Sequence, residues 1–190
     1  MRVKDDKKLK AICDAAIELI TANGFSDTSM SKIAKAAQVS PATIYVYFEN
    51  KEQLLNEIYL LVKREMCAEI LRGVKSELTV AEAFKITWDN FYRYATKYPV
   101  RFAFAEQFAN SPLVAGICKE AIMEFLKPLF DLFERGKQEK VFKDIPLEIF
   151  NAFTFSPLTG LIKEHLRGEI VLDKKMLAKT YKIAWDAITD

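Results

Sequence analysis

The stretch SPATIYVYFENK, from Ser40 to Lys51, carries the side chains with the clearest chemistry. Tyr45 and Tyr47 bring phenol hydroxyls that reach phosphate oxygens. Pro41, Ala42 and Thr43 are small enough to let a backbone approach base edges. Lys51 follows Asn50 at a helix start, where a cation and free backbone N–H groups make a phosphate clamp. Ile44 and Phe48 lie four apart and point inward, toward Ile33, Ala34 and Val39. Pro41, Ala42, Thr43, Tyr45, Val46 and Tyr47 are then left with most of the outer surface. No Arg, Lys, Asn or Gln lies between Pro41 and Phe48, so strong bidentate base contacts are missing there. Sequence preference would rest on Thr43, thymine methyl contacts and DNA shape. The same residues also fit a plainer reading, a compact three-helix piece whose tyrosines are half-buried packing groups.

Catalytic chemistry is hard to build from the rest. There is no nucleophile–base pairing, no Gly-rich phosphate loop, one histidine (His165) and no HExxH spacing. No enzyme activity, cofactor or metal is expected. A helical adaptor that binds protein alone is the other class to weigh, and salt-dependent binding to duplex DNA separates the two. Cys13, Cys67 and Cys118 are far apart with no CxxC, which fits a reducing cytoplasm. No apolar run is long enough for a membrane span. The formal net charge is +2, and residues 1–50 carry seven basic against six acidic side chains. A basic surface must therefore come from arrangement, not from bulk charge.

Nearly every segment reads at helical period, and strand signals are missing. Leu9, Ile12, Cys13, Ala16 and Ile20 form one stripe, closed by Asn23-Gly24 with Phe25 folding back. Thr28 or Ser29 caps a short second helix, with Ile33, Ala34 and Ala37 apolar. Ser40-Pro41 starts the third and Asn50 caps a long fourth, with Gln53 at the capping-box position. Five more follow: Val80 to Lys97, one between Pro99 and Pro112, Leu113 to Lys137, Leu147 to Arg167 with a bend at Pro157, and Lys174 to Ile188. The fold class is all-α with about nine helices. Its three parts are an N-terminal three-helix helix-turn-helix over 1–50, a connecting helix over 51–72, and a C-terminal helical domain over 73–190.

The run from Gly24 to Leu54, GFSDTSMSKIAKAAQVSPATIYVYFENKEQL, resembles the DNA-binding segment of TetR-type transcriptional regulators. The matching positions are Gly24-Phe25, Thr28, Ile33-Ala34, Ala37, Val39-Ser40, Ile44-Tyr45, Tyr47-Phe48 and Asn50-Lys51-Glu52, ending at Leu54. A glycine is usual where Gln38 stands, so Gln38 must adopt a positive φ or alter the turn. The resemblance implies that the third helix enters the major groove with Pro41, Ala42 and Thr43 near bases. Tyr45, Tyr47 and Lys51 would hold phosphates, and Thr28 and Ser29 would touch the backbone. It also implies a homodimer on a palindromic operator, repressing until a small effector binds the C-terminal domain.

Twelve of the fourteen phenylalanines fall between Phe84 and Phe155. Most are core, yet rings on several helices suit a cavity for a small hydrophobic effector. The candidate lining is Trp88, Phe91, Tyr92, Phe104, Phe108 and Phe125, with Asn90, Glu106 and Gln107 as polar anchors. The resemblance places the dimer surface on the last two helices, where the candidates are Leu158, Leu161, His165, Tyr181 and Trp185.

Overall fold

The computed structural model describes residues 6–113 and 119–190. Cys118, the first residues of the polar N-terminus and the expected first turn of the seventh helix lie outside them. Among the described residues there are ten helices and no strand. They are α1 Asp6–Asn23, α2 Met30–Ala36, α3 Pro41–Tyr47, α4 Lys51–Ile70, α5 Val80–Lys97, α6 Pro99–Ala109, α7 Lys119–Gln138, α8 Leu147–Phe153, α9 Phe155–Leu166 and α10 Lys174–Ile188. No described helix is long and apolar enough to cross a membrane.

The extra helix comes from a break at Thr154, whose φ of −117° and ψ of −88° are not helical. Pro157 is the cause. Its ring would clash with the carbonyl of residue 153 in a continuous helix, and it has no N–H to donate. Restarting at Phe155 places Pro157 in the first turn of α9, where a missing N–H costs nothing. The Thr154 hydroxyl donates to the Phe150 carbonyl at 2.7 Å, satisfying the end of α8.

The chain packs into two compact units. Unit 1 takes the described residues up to Arg64 together with those from Val100 to Ile122; unit 2 takes Glu65–Pro99 and Met123–Asp190. The division differs from the expected continuous domain over 73–190, because α6 packs with the N-terminal helices. Phe104 and Phe108 are fully buried in the same apolar core as Ile12, Ile17, Ile20, Ile33, Ile44 and Leu54. Phe25 meets both rings edge-on at 6.4 and 5.9 Å, and Tyr59 stacks on Phe108 at 4.5 Å. Each such pair contributes roughly 0.5–1.5 kcal/mol beyond its area. Polar ties add to this: Arg101 donates to Asp14 at 2.7 Å and Gln107 to the Thr21 carbonyl at 3.4 Å.

Unit 2 is organised around Phe84 on α5. Six rings surround it at 5.6–6.1 Å: Trp88, Phe142, Phe150, Phe155, Tyr181 and Trp185. A capping box starts α5: the Thr79 hydroxyl accepts from the Glu82 N–H, and the Glu82 carboxylate accepts from the Thr79 N–H. Those hydroxyl and backbone donors hold the Glu82 carboxyl below its usual range. Gly136 on α7 is required by crowding, since a Cβ there would lie 2.0 Å from the Phe142 ring.

Candidate nucleic-acid interface

The turn between α2 and α3 fixes how α3 is presented. Gln38 takes φ +55°. Its N–H donates to the Lys35 carbonyl at 3.2 Å and the Val39 N–H to the Ala34 carbonyl at 2.9 Å. This is the Schellman arrangement, in which the residue past the helix end is left-handed and glycine is preferred. Gln38 therefore accepts the strained conformation and leaves the turn unaltered. Ser40 then caps α3 with its Oγ accepting from the Thr43 N–H at 3.2 Å, and Pro41 occupies the first helical position.

On α3 the inward residues are Ile44, Tyr47 and Phe48, at 0%, 8% and 2% exposure. The burial of Tyr47 departs from the expected outward phosphate contact. Its position three residues after Ile44 puts it on the same side of the helix, and the extended backbone at Phe48, the C-cap, turns the next ring inward as well. Pro41, Ala42, Tyr45 and Val46 form the exposed face, with Tyr45 at 56% and Val46 at 45%. Thr43 is half-buried, and its hydroxyl lies 2.9 Å from the Ser40 hydroxyl.

Two further candidates have structural partners. Thr28 is 2% exposed and donates to the Gly24 carbonyl at 2.9 Å. It closes the α1–α2 turn from inside, and Ser29, which is exposed, is the α2 cap. Lys51 is half-buried, and its ammonium donates to the Phe25 carbonyl, tying the start of α4 to the end of α1. The Asn50 side chain caps α4, accepting from the Gln53 N–H at 2.8 Å, while the Gln53 side-chain Oε1 accepts from the Glu49 N–H at 2.6 Å. Sequence reasoning passed over Lys32 and Lys35, which are exposed on α2. Their spacing of three, on a helix whose other side is Met30, Ile33 and Ala34, was the available signal.

The expected effector-pocket residues divide between the units. Phe104 and Phe108 belong to the unit 1 core, whereas Trp88 and Phe91 pack on Phe155 in unit 2 at 5.8 and 5.4 Å. Tyr92 and Phe125 are half-buried, and the Tyr92 hydroxyl donates to the Leu172 carbonyl at 3.0 Å. Asn90 is consumed structurally: its amide donates to the carbonyls of Ile70 and Arg72 at 2.9 and 2.8 Å. Gln107 holds Thr21, and Glu106 accepts at its carbonyl from Asn110. The indole N–H of Trp88 is buried with no hydrogen-bond partner among the described residues.

The expected dimer residues face mostly inward. Leu158 is fully buried, and Tyr181 and Trp185 lie against Phe84. Burial pushes the Tyr181 hydroxyl up to about 12, with the Asp89 carboxylate adding to the effect. Leu161 and His165 are half-buried, and His165 Nδ1 lies 3.3 Å from the Ile170 carbonyl and 3.4 Å from the Leu172 N–H, inside the α9–α10 turn. The large apolar side chains left in the open on these helices are Ile149, Phe153, Leu166 and Ile183. Among the described residues, no cluster of His, Cys, Asp and Glu could hold a metal ion.

Residues 12–58 match the model of bacterial regulatory proteins of the tetR family. Residues 80–189, more than half of the chain, match that of a tetracyclin repressor-like C-terminal domain. The chain belongs to the TetR family. A TetR family transcription regulator from Marinobacter aquaeolei VT8 superposes with a TM-score of 0.90 at 30% identity, covering 100% of both chains. The fatty acid metabolism regulator protein of Bacillus subtilis is 37% identical over 75 residues, which span 40% of this chain and 39% of that protein. An uncharacterized HTH-type transcriptional regulator of Haemophilus influenzae is 28% identical over 119 residues, 63% of this chain and 64% of its own. With both curated relatives the match thus stays under two thirds of the relative's length. The TetR assignment agrees with the resemblance carried by Gly24 to Leu54 and with the all-helical fold.

Proposed function

We propose that this TetR-family chain is a ligand-responsive transcriptional regulator that binds a near-palindromic duplex as a two-fold dimer. The observation that carries the reading is the face of α3: Tyr45 and Val46 stand 56% and 45% exposed beside Pro41 and Ala42, on a helix locked from behind by Ile44, Tyr47 and Phe48. A seven-residue helix gains little from exposing these side chains to water. In a major groove, Tyr45 reaches a phosphate, Val46 and Ala42 meet thymine methyls, and Thr43 sits near a base edge. Ser29, Lys32 and Lys35 on α2 supply backbone contacts. Thr28, Tyr47 and Lys51 act behind them, holding α2, α3 and α4 in place. The reading includes no catalytic step.

The dimer surface in this proposal is the exposed apolar side of α8 and α10, with Phe153 and Ile183 at its centre. Two recognition helices related by a two-fold axis require mirrored half-sites about one DNA turn apart. The effector is a mostly apolar molecule, with rings favoured by the lining of Trp88, Phe91 and Phe155. Its polar anchor is an acceptor for the Trp88 indole N–H, a donor whose burial without a partner costs about 1–3 kcal/mol. Coupling runs through α4, which begins in unit 1 and ends in unit 2. A differential of roughly 2–3 kcal/mol between states would release the operator about 30- to 150-fold.

The test is selection from a randomised duplex library. The expected outcome is enrichment of one near-palindrome, lost with Val46→Glu. A library that stays random, with a protein shown to be folded, removes the reading.

A further inference from the structure

The outer side of α5 and the first turns of α10 enclose a groove of about 380 Å3 in unit 2. Its charged side chains are Lys85, Asp89, Arg93 and Lys174, three cations to one acid. Lys85 and Asp89 neutralise each other, with the ammonium donating to both carboxylate oxygens at 2.6 and 2.5 Å and lying 4.9 Å from the Tyr181 ring centroid. Arg93 gives one amino group to the Asn90 side-chain carbonyl at 2.9 Å. That contact braces the guanidinium and leaves its remaining N–H groups available. Lys174 stands exposed on the opposite wall. The groove thus holds two positive charges that no acid of its own lining meets. Two like charges around one concavity raise the local concentration of anions. A guanidinium also matches the planar oxygens of carboxylate and phosphate. Leu177 and Ala178 line the apolar remainder, beside the Tyr92 ring held by its bond to the Leu172 carbonyl at 3.0 Å.

We propose that this groove binds a small oxyanion with a short apolar body, a carboxylate or a phosphomonoester. Arg93 and Lys174 grip the oxygens and the body rests on Leu177, Ala178 and Tyr92. The site is separate from the apolar effector site proposed above and does not depend on it. It gives the molecule an input for a charged metabolite that an aromatic cavity would reject, since desolvating an unpaired anion among rings is costly.

The experiment is a titration of the 15N-labelled full chain with inorganic phosphate and, separately, with butyrate, followed through backbone amide shifts. Saturable shifts centred on Arg93 and Lys174 are expected, with a Kd of about 1 mM or tighter for at least one probe. Saturation by phosphate alone assigns the phosphomonoester, and by butyrate alone the carboxylate. Arg93→Gln combined with Lys174→Gln should weaken binding by about tenfold or more. Ala178→Glu, at an exposed position where folding is not at stake, should do the same by placing a carboxylate in the groove. No saturation by either probe below about 10 mM overturns the proposal. So does binding unchanged in these variants, which would mark it as lying elsewhere.

Discussion

The Arg101 guanidinium on α6 donates to the Asp14 carboxylate on α1 at 2.7 Å, joining residues 87 positions apart. Lys10 holds the other Asp14 oxygen, so the carboxylate sits between two cations. Both partners of the Arg101 pair are largely covered, at 22% and 33% side-chain exposure. The bond fastens α6 to α1. Arg101→Ala should lower stability by about 0.5–1 kcal/mol through the lost pair and the lost packing of the arginine stem. A double-mutant cycle with Asp14→Ala, read by chemical denaturation, should recover a coupling of similar size. Additive effects would mean that the pair contributes nothing beyond its two side chains.

Gln38 is a place where a substitution should help. With φ at +55° it occupies a left-handed position that glycine takes freely. Gln38→Gly should raise stability by about 0.5–1 kcal/mol, the relief of backbone strain exceeding the extra freedom gained by the unfolded chain. A higher midpoint in urea with an unchanged slope is the expected result. A lower midpoint would show that the Gln38 side chain has a compensating role.

At Gly136 the expected direction is opposite. A methyl group would meet the Phe142 ring at 2.0 Å, inside the packed aromatic cluster of Phe84 and Phe150. Gly136→Ala should cost about 1–3 kcal/mol. Combining it with Phe142→Ala should cost less than the sum of the single changes, because the second removes the ring atoms that the methyl group would meet. Thermal melts of the four proteins decide this.

Much of this was legible in the sequence, and the losses have physical causes. The stripe on α1, the Ser40-Pro41 start and the Asn50 cap follow from local rules, and local rules survive folding; the positive φ at Gln38 is one of the two outcomes that the resemblance left open there. The membership of α6 was not legible. Phe104 and Phe108 look the same in sequence whether they meet Trp88 or Phe25, because a helical stripe says which side is buried and not against what. The burial of Tyr47 was missed for a narrower reason: the inward stripe was drawn through Ile44 and Phe48, and the i+3 neighbour was left outside it. Tyr181 and Trp185 pack on Phe84 within the chain because α10 has two apolar sides. Its rings turn to Phe84, while Ile183, at 71% exposure, is the side chain left open.

That second side yields a prediction about assembly. Ile183→Glu and Phe153→Glu should produce monomers by sedimentation at micromolar concentration with little loss of helicity. Trp185→Glu should instead unfold unit 2, since it places a charge against Phe84 and Phe142. Monomers from Trp185→Glu with intact helicity, and an unchanged dimer from Ile183→Glu, would reverse the assignment of the two sides.

Whether the exposed face of α3 grips duplex DNA is decided by fluorescence anisotropy on the selected palindrome across a salt series. Log affinity should fall steeply and linearly with log salt, by about a thousandfold or more between roughly 50 and 200 mM. Lys35→Ala should flatten that slope by about one phosphate contact, Tyr45→Phe should weaken binding to all sequences alike with the slope unchanged, Thr43→Ala should change sequence preference more than affinity, and Val46→Glu should abolish binding while leaving the melting temperature in place. Affinity indifferent to salt, or a folded Val46→Glu protein that binds as tightly as the parent, would contradict DNA binding by α3.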